Sequence, residues 1–115
     1  MRGASAGAHK PKPMGSRLAA AAARLVAAGQ SIAVAETSAG GLIAAKLLAQ
    51  PGASKYFRGG VVVYSKEAKQ TLLGLDATQS RPTSTEPHAV ELAEAARATI
   101  GSEWAIGETG VRCAS

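Results

Sequence analysis

A short apolar strand that passes through a small, glycine-bearing turn into a helix is the feature that most constrains this fold. Residues 31–35 read as a buried strand, and residues 41–49 are rich in leucine and alanine. The link at residues 36–40 holds one carboxylate, two hydroxyl groups and a glycine. A continuously buried strand followed by a helix is typical of sheets covered by helices. The pattern therefore predicts an α/β fold.

The rest of the chain continues this alternation. Helices are predicted over residues 17–28, 41–49, 66–73 and 84–100, with Ser16, Ser65 and either Ser84 or Thr85 as N-caps. Further strands are predicted over residues 56–64 and 104–107, with a turn at 53–55. We expect the second strand to be central because it is continuously apolar. The order α–β–α–β–α–α–β predicts a layered α/β sandwich, in which helices cover a small sheet.

The positive charge is concentrated at the start of the chain. The formal net charge is +5, and residues 1–17 supply four basic groups and no acid. The remainder has no basic stripe interleaved with aromatic residues, so no specific nucleic-acid surface is expected. We therefore divide the chain into a disordered basic leader, residues 1–15, and one domain, residues 16–115.

Counts of a few residue types exclude other protein classes. Cys113 is the only cysteine, so no internal disulfide can form, and a reducing compartment such as the cytoplasm is expected. Two isolated histidines and one cysteine predict no metal site, and no cofactor is expected. No apolar run approaches the ~20 residues of a membrane span, so no membrane partner is expected.

Polar residues follow each predicted strand. These segments are residues 36–41, residues 64–69 and residues 108–110. Because parallel strands end at one edge of a sheet, where ligands bind in open α/β folds, we expect the three segments to meet. The helix N–H groups of residues 39–41 would then hold an anion or an oxyanion.

The side chains in these segments suit nucleophilic chemistry. Thr37 or Ser38 supplies a hydroxyl near helix N–H donors, and a partly desolvated Lys69 would have a lowered pKa and could act as a base. Tyr64 would lie at the tip of the second strand. Taken singly, each segment also fits a structural role: a helix cap at 36–41, a solvated Lys69, or a simple turn at 108–110.

These segments resemble the C-terminal domain of the competence/damage-inducible protein CinA family, which includes nicotinamide mononucleotide amidohydrolases, also called deamidases. The resemblance runs from about Ser16 to Gly110, and its strongest parts are residues 35–41, 51–69, 72–74 and 108–110. It implies a hydrolase that acts on a small pyridine nucleotide in NAD salvage and releases ammonia. Family members tend to self-associate, so a homo-oligomer is also implied.

The resemblance also implies roles for individual residues. The implied catalytic residues are Thr37 as nucleophile, Lys69 as its base and Tyr64 beside them. The implied substrate-binding residues are Glu36, Ser38, Gly40, Gly41, Arg58, Thr109 and Gly110. Arg58 is expected to reach the nucleotide phosphate.

The chain departs from the family pattern in three ways. Thr37 and Ala39 replace two hydroxyl-bearing positions of the usual Glu-Ser-Cys-Thr-Gly-Gly, and the added methyl of Thr37 crowds the path of attack. Lys66 replaces the usual asparagine. Few residues follow Gly110, so we expect the last strands and helix of the family fold to be missing. The alternatives are a non-catalytic nucleotide- or protein-binding module and a truncated, inactive copy.

Overall fold

The computed structural model describes residues 14–110. Within this range the elements are, in chain order, α1 (Met14–Ala28), β1 (Ile32–Glu36), α2 (Leu42–Leu48), α3 (Ala53–Tyr56), β2 (Phe57–Val62), α4 (Lys66–Leu73), α5 (Glu86–Ala96), a π-helical turn (Arg97–Gly101) and β3 (Trp104–Gly107). The α/β sandwich predicted from the sequence is confirmed. None of the helices in this range is both long and apolar enough to cross a lipid bilayer.

The sheet has the strand order β2–β1–β3, and both strand pairs are parallel. All three strands therefore end at one side of the sheet, which we call the carboxyl edge (residues 37–41, 63–65 and 108–110). The prediction that the second strand is central is wrong, because β1 takes that place. All five β1 residues are buried, whereas half-buried and exposed residues alternate along β2.

Alternate residues of β1 face two different helical layers. Ala33 and Ala35 pack in a cluster that α4 and α5 complete, with Val63, Leu73, Leu92 and Ala96. Ile32 and Val34 pack in a second cluster that α1, α2 and α3 complete, with Ala22, Leu47 and Tyr56. The α4/α5 layer and the α1/α2/α3 layer thus cover opposite faces of the sheet.

β3 and α5 approach so closely that only glycine fits at residue 107. A Cβ atom built on Gly107 would overlap the carbonyl oxygen of Ala89 and would lie 2.7 Å from the backbone nitrogen of Ala93. Both obstructing atoms belong to the helix backbone, so no rotation of a side chain relieves the overlap. Gly107 therefore sets the spacing between the sheet and α5.

The first helix differs from its prediction at its start. α1 begins at Met14, so Ser16 lies inside the helix and is not its cap. The predicted boundary between leader and domain, at residues 15 and 16, falls within α1. The expected disorder of the leader otherwise concerns residues 1–13, which lie outside the described residues.

Two later segments also differ from prediction. The predicted turn at 53–55 is the short helix α3, and Tyr56 is buried, with its hydroxyl donating to the Leu47 carbonyl. The last predicted helix changes after Ala96 into a π-helical turn. Of the two predicted caps for α5, Thr85 is the one used, because its hydroxyl accepts from the His88 N–H at 3.3 Å.

Candidate active site

The carboxylate of Glu36 organises the turn from β1 into α2. Glu36 is only 1% exposed, and it accepts hydrogen bonds from the N–H groups of Gly41 at 3.0 Å, Ile43 at 3.1 Å and Ala44 at 2.9 Å. These donors belong to the first turn of the helix, which otherwise lacks a capping side chain. The sequence predicts Glu36 as a substrate ligand, whereas in the structure its oxygens are engaged by the helix.

The carboxylate of Glu108 ties the end of β3 to the same turn. It accepts from the N–H of Thr37 at 2.8 Å, the N–H of Ala39 at 3.1 Å and the hydroxyl of Ser38 at 2.7 Å. Burial alone would raise the pKa of Glu108, but these hydrogen bonds outweigh it and hold the pKa below its ordinary value. Glu108 is therefore an ionised clamp on the first turn.

The turn uses its own N–H groups for folding, so the prediction that residues 39–41 hold an oxyanion is wrong. The acceptors for Ala39, Gly40 and Gly41 are, in order, the Glu108 carboxylate, the Thr37 carbonyl and the Glu36 carboxylate. The N–H of Ser38, by contrast, makes no hydrogen bond to any residue between 14 and 110. The hydroxyl of Thr37 likewise has no hydrogen-bond partner in this range.

Two other predicted residues close the carboxyl edge rather than line an open site. The hydroxyl of Thr109 accepts from the N–H of Ser84 at 3.1 Å. Gly110 lies against Ser38, and a Cβ atom at residue 110 would overlap the Ser38 hydroxyl. The structure thus brings the first and third polar segments together, with Thr109 joining them to the loop before α5.

Lys69 is buried on the inner face of α4. Its side chain is 8% exposed and shares that face with Leu73, one helical turn further on. Its Nζ atom lies 3.1 Å from Nε2 of His88. Burial lowers the pKa of Lys69 from its ordinary value. Lys69 is a desolvated amine, as a catalytic base requires.

His88 connects Lys69 to a carboxylate. His88 is 1% exposed, and its Nδ1 atom lies 3.1 Å from Oε1 of Glu91. Glu91 also accepts from the N–H of Arg81 at 2.8 Å. Burial acts to raise the pKa of Glu91, but hydrogen bonds from Arg81 and His88 and the charges beside it bring the pKa below its ordinary value. Because an ionised Glu91 only accepts, Nδ1 of His88 is the donor in that contact, and Nε2 is left to accept from Lys69.

Sequence reasoning missed both His88 and Glu91. The histidine looked isolated because its partner Lys69 is 19 residues away on another helix. Helical spacing does place His88 and Glu91, three residues apart, on one face of α5, and that was the available signal. The contact with Lys69 depends on how α4 packs on α5, which the sequence pattern does not specify.

A cavity of about 230 Å³ opens beside this pair, between α4 and the loop that leads to α5. Its lining residues are Lys66, Lys69, Leu75, Ala77, Ser80, Arg81, Pro82, Thr83 and His88. Four of these nine side chains are basic and none is acidic. Within residues 14–110, no three His, Cys, Asp or Glu side chains come together in a way that could hold a metal ion.

Two predicted residues lie apart from this arrangement. Tyr64 is 76% exposed and makes no hydrogen bond within the described part of the chain. Arg58 is the second residue of β2, four residues before its end, which at ~3.3 Å per residue is roughly 13 Å from the carboxyl edge. Its guanidinium lies near Gly101, at the opposite edge. The structure therefore does not bring Arg58 to Lys69, and the contact of Arg58 with a nucleotide phosphate stays a prediction.

Comparison with known sequences agrees with the resemblance. The CinA C-terminal domain family matches residues 16–114. A CinA-like protein of Gloeobacter violaceus is 44% identical over 94 residues, which are 80% of this chain and 22% of that protein. A CinA-like protein of Mycobacterium avium is 43% identical over 99 residues, which are 84% of this chain and 23% of that protein. The chain spans about a fifth of the length of these curated relatives.

Solved structures agree as well. The competence damage-inducible protein A from Klebsiella pneumoniae is 33% identical, with a TM-score of 0.69 over 79% of this chain and 58% of that one. A CinA superfamily protein from Enterobacter cloacae is 27% identical, with a TM-score of 0.74 over 90% of this chain and 63% of that one. With the family match across residues 16–114 and this agreement in fold, the chain belongs to the CinA C-terminal domain family.

Proposed function

We propose that this chain is an amidohydrolase that converts nicotinamide mononucleotide into nicotinate mononucleotide and ammonia. The observation that carries the proposal is the buried amine of Lys69, held 3.1 Å from His88 in the first turns of the helix that follows β2. A lysine without its hydration shell is a base for a hydroxyl nucleophile. Thr37 supplies that hydroxyl from the end of the neighbouring strand.

The alternation of β1 supports a meeting of Thr37 with Lys69. Thr37 follows Ala33 and Ala35 at two-residue spacing, and these alanines face the α4/α5 layer. Lys69 lies on the α4 face that carries Leu73 into the same cluster. Both groups follow the carboxyl ends of paired parallel strands. One carbonyl group could therefore lie between the Thr37 hydroxyl and the Lys69 amine.

The first half of the reaction forms an ester and releases ammonia. Neutral Lys69 accepts the proton of the Thr37 hydroxyl while the oxygen attacks the carboxamide carbon, which gives a tetrahedral intermediate. The C–N bond then breaks, and the leaving nitrogen takes the proton from Lys69 and departs as ammonia. The N–H of Ser38, next to the nucleophile, is the donor we assign to the oxyanion.

The second half returns the enzyme to its starting state. A water molecule attacks the ester carbon and gives a proton to Lys69. The bond from carbon to the Thr37 oxygen breaks, and that oxygen takes the proton back from Lys69. The products are a carboxylic acid, which ionises, and the free hydroxyl. His88 and Glu91 hold the amine in place throughout.

Ammonia release from nicotinamide mononucleotide tests the proposal. The full chain should release ammonia, and Lys69→Ala should lower kcat by about 10²-fold or more, the usual contribution of a general base. Lys46→Ala is the matched control, because Lys46 is an exposed lysine on α2, in the α1/α2/α3 layer across the sheet. No release by the wild-type chain, or equal rates with Lys69→Ala, would overturn the proposal.

The environment of Thr37 favours one alternative, a binding module without turnover. Thr37 is only 7% exposed, and its β-branched methyl restricts χ1 in that confined position. A binding module would show a higher unfolding midpoint with nicotinamide mononucleotide but no ammonia. A hydrolase would show both.

A further inference from the structure

We propose that the basic cavity beside Lys69 binds the phosphate monoester group of its ligand, with Arg81 and Lys66 as the charged contacts. The cavity lies between α4 and the loop that leads to α5, and four of its nine lining side chains are basic. The identity of the ligand as a pyridine mononucleotide rests on the proposed function. The affinity for a phosphate group rests on the cavity itself.

The charges around the cavity are arranged for an anion. Arg81 and Lys66 are exposed at its mouth, whereas Lys69 and His88 are buried at its wall. The nearby carboxylates are Glu67, Asp76 and Glu91, and none of them lines the cavity. Asp76 is engaged by Thr78, and Glu91 is engaged by His88 and by the Arg81 N–H. A phosphate monoester carries about −1.5 to −2 charge at neutral pH, which Arg81 and Lys66 would neutralise.

Geometry also favours a phosphate over a less structured anion. The guanidinium of Arg81 can bind two phosphate oxygens at once, and the ammonium of Lys66 supplies a point charge to a third. Thr83 places a hydroxyl in the same lining. Lys66 stands where the family pattern has asparagine, so this chain has one more cation here than that pattern supplies.

The size of the cavity fits one group of a nucleotide rather than the whole molecule. Its volume of about 230 Å³ is below the roughly 300–1,000 Å³ of pockets that enclose complete drug-sized ligands. A phosphate held here would leave the ribose and base outside this cavity. Arg81 would then make the phosphate contact that the resemblance implies for Arg58.

Direct binding of phosphate groups tests the inference without any turnover. Titration calorimetry of the full chain with inorganic phosphate and with adenosine 5′-monophosphate should give saturable binding. Arg81→Gln should weaken both by about tenfold or more, as expected for loss of one charge-assisted contact. Arg97→Gln is the matched control, since Arg97 is exposed and lies nine residues beyond His88, roughly 13 Å along the helix.

Lys66→Gln provides a second reading that does not depend on the fold of the Arg81 variant, because Lys66 is exposed at the start of α4. Circular dichroism of every variant confirms that it is folded. No binding of either compound to the wild-type chain would overturn the inference. Equal losses in Arg81→Gln and Arg97→Gln, or no loss in Lys66→Gln when Arg81→Gln is unfolded, would also overturn it.

Two further ligands identify the source of the phosphate. Nicotinamide mononucleotide that binds more tightly than both inorganic phosphate and nicotinamide riboside supports a nucleotide phosphate. Equal binding of the mononucleotide and inorganic phosphate, lost together in Arg81→Gln, supports the isolated phosphate group. Equal binding of the mononucleotide and the riboside contradicts the inference. Because none of these measurements uses ammonia, failure of the deamidase proposal would remain distinguishable.

Discussion

The Nζ atom of Lys69 lies 3.1 Å from Nε2 of His88, and both side chains are buried. At this distance the two nitrogens share one hydrogen bond, and one of them must accept. Because the amine is out of water, burial disfavours its charged form and lowers the pKa of Lys69. On the other side of the ring, Nδ1 of His88 lies 3.1 Å from the Glu91 carboxylate. Glu91 therefore holds the imidazole, and the imidazole holds the Lys69 amine.

This relation predicts that His88 acts by positioning the amine of Lys69. His88→Gln keeps an acceptor for Lys69, whereas His88→Ala leaves the buried amine without its partner. At neutral pH we expect His88→Ala to lower kcat/KM by about tenfold or more and His88→Gln to lose less.

Glu91→Gln provides the comparison for that experiment. It keeps a hydrogen-bond acceptor near Nδ1 of His88, so it should lose less activity than His88→Ala. Rates of His88→Ala and His88→Gln that both equal the wild-type rate would reduce His88 to a packing role. Ammonia release by each variant distinguishes these outcomes.

Replacement of Lys69 by methionine should change how stability depends on pH. Burial lowers the pKa of Lys69 in the folded chain, below its ordinary value of 10.5. Between the two values the unfolded chain binds more protons, so the stability that Lys69 confers rises with pH in that window. The free energy of unfolding of Lys69→Met, minus that of the wild type, should therefore fall by about 1.4 kcal/mol for each pH unit crossed in that window. Urea unfolding at several pH values measures the difference.

Substitutions at residues 37 and 38 separate the two candidate nucleophiles. Thr37→Ala should abolish ammonia release, and Thr37→Ser should keep or raise it because the crowding methyl is removed. Ser38→Ala should retain most activity, since the Ser38 hydroxyl is already engaged with Glu108 at 2.7 Å. The reverse pattern, with Ser38→Ala inactive and Thr37→Ala active, would assign the attack to Ser38.

Replacement of Glu108 should lower the free energy of unfolding by an amount that depends on pH. Its folded-state pKa is below the ordinary value, so its contribution is complete above the unfolded-state pKa and disappears as pH falls through the folded-state pKa. Glu108→Gln should cost about 2 kcal/mol at pH 7, a typical value for hydrogen bonds to a charged group. The cost should decrease toward acidic pH. A cost that stays constant with pH would show that the charge of Glu108 contributes little.

The sequence predicted elements best where a local cap defines their ends. α4 lies at Lys66–Leu73 as predicted, because the Ser65 hydroxyl accepts from the Ala68 N–H at 3.0 Å and Gly74 adopts φ +70°. Strand order was not predictable in the same way. The apolar run of residues 60–64 resembles a central strand, yet the small residues of β1 are the ones covered on both faces and paired on both sides.

The residues of the candidate site also differ in how well the sequence alone could place them. Residues that follow strands, such as Thr37 and Glu108, could be placed at one edge from parallel topology alone. His88 and Arg81 could not, because their positions depend on how α5 and the preceding loop pack on α4. The position of Arg58 away from the carboxyl edge could have been predicted, because a residue at the start of a strand lies far from that strand's carboxyl end.

Gly107 links the packing of β3 to the position of His88. The residue lies in a strand, yet the atoms that forbid a side chain there belong to the backbone of the helix that carries His88. Any larger residue would push α5 away from β3, and His88 would move with that helix relative to Lys69 on α4. A single methyl group, added where no ligand is expected, would thus displace the imidazole that holds the amine.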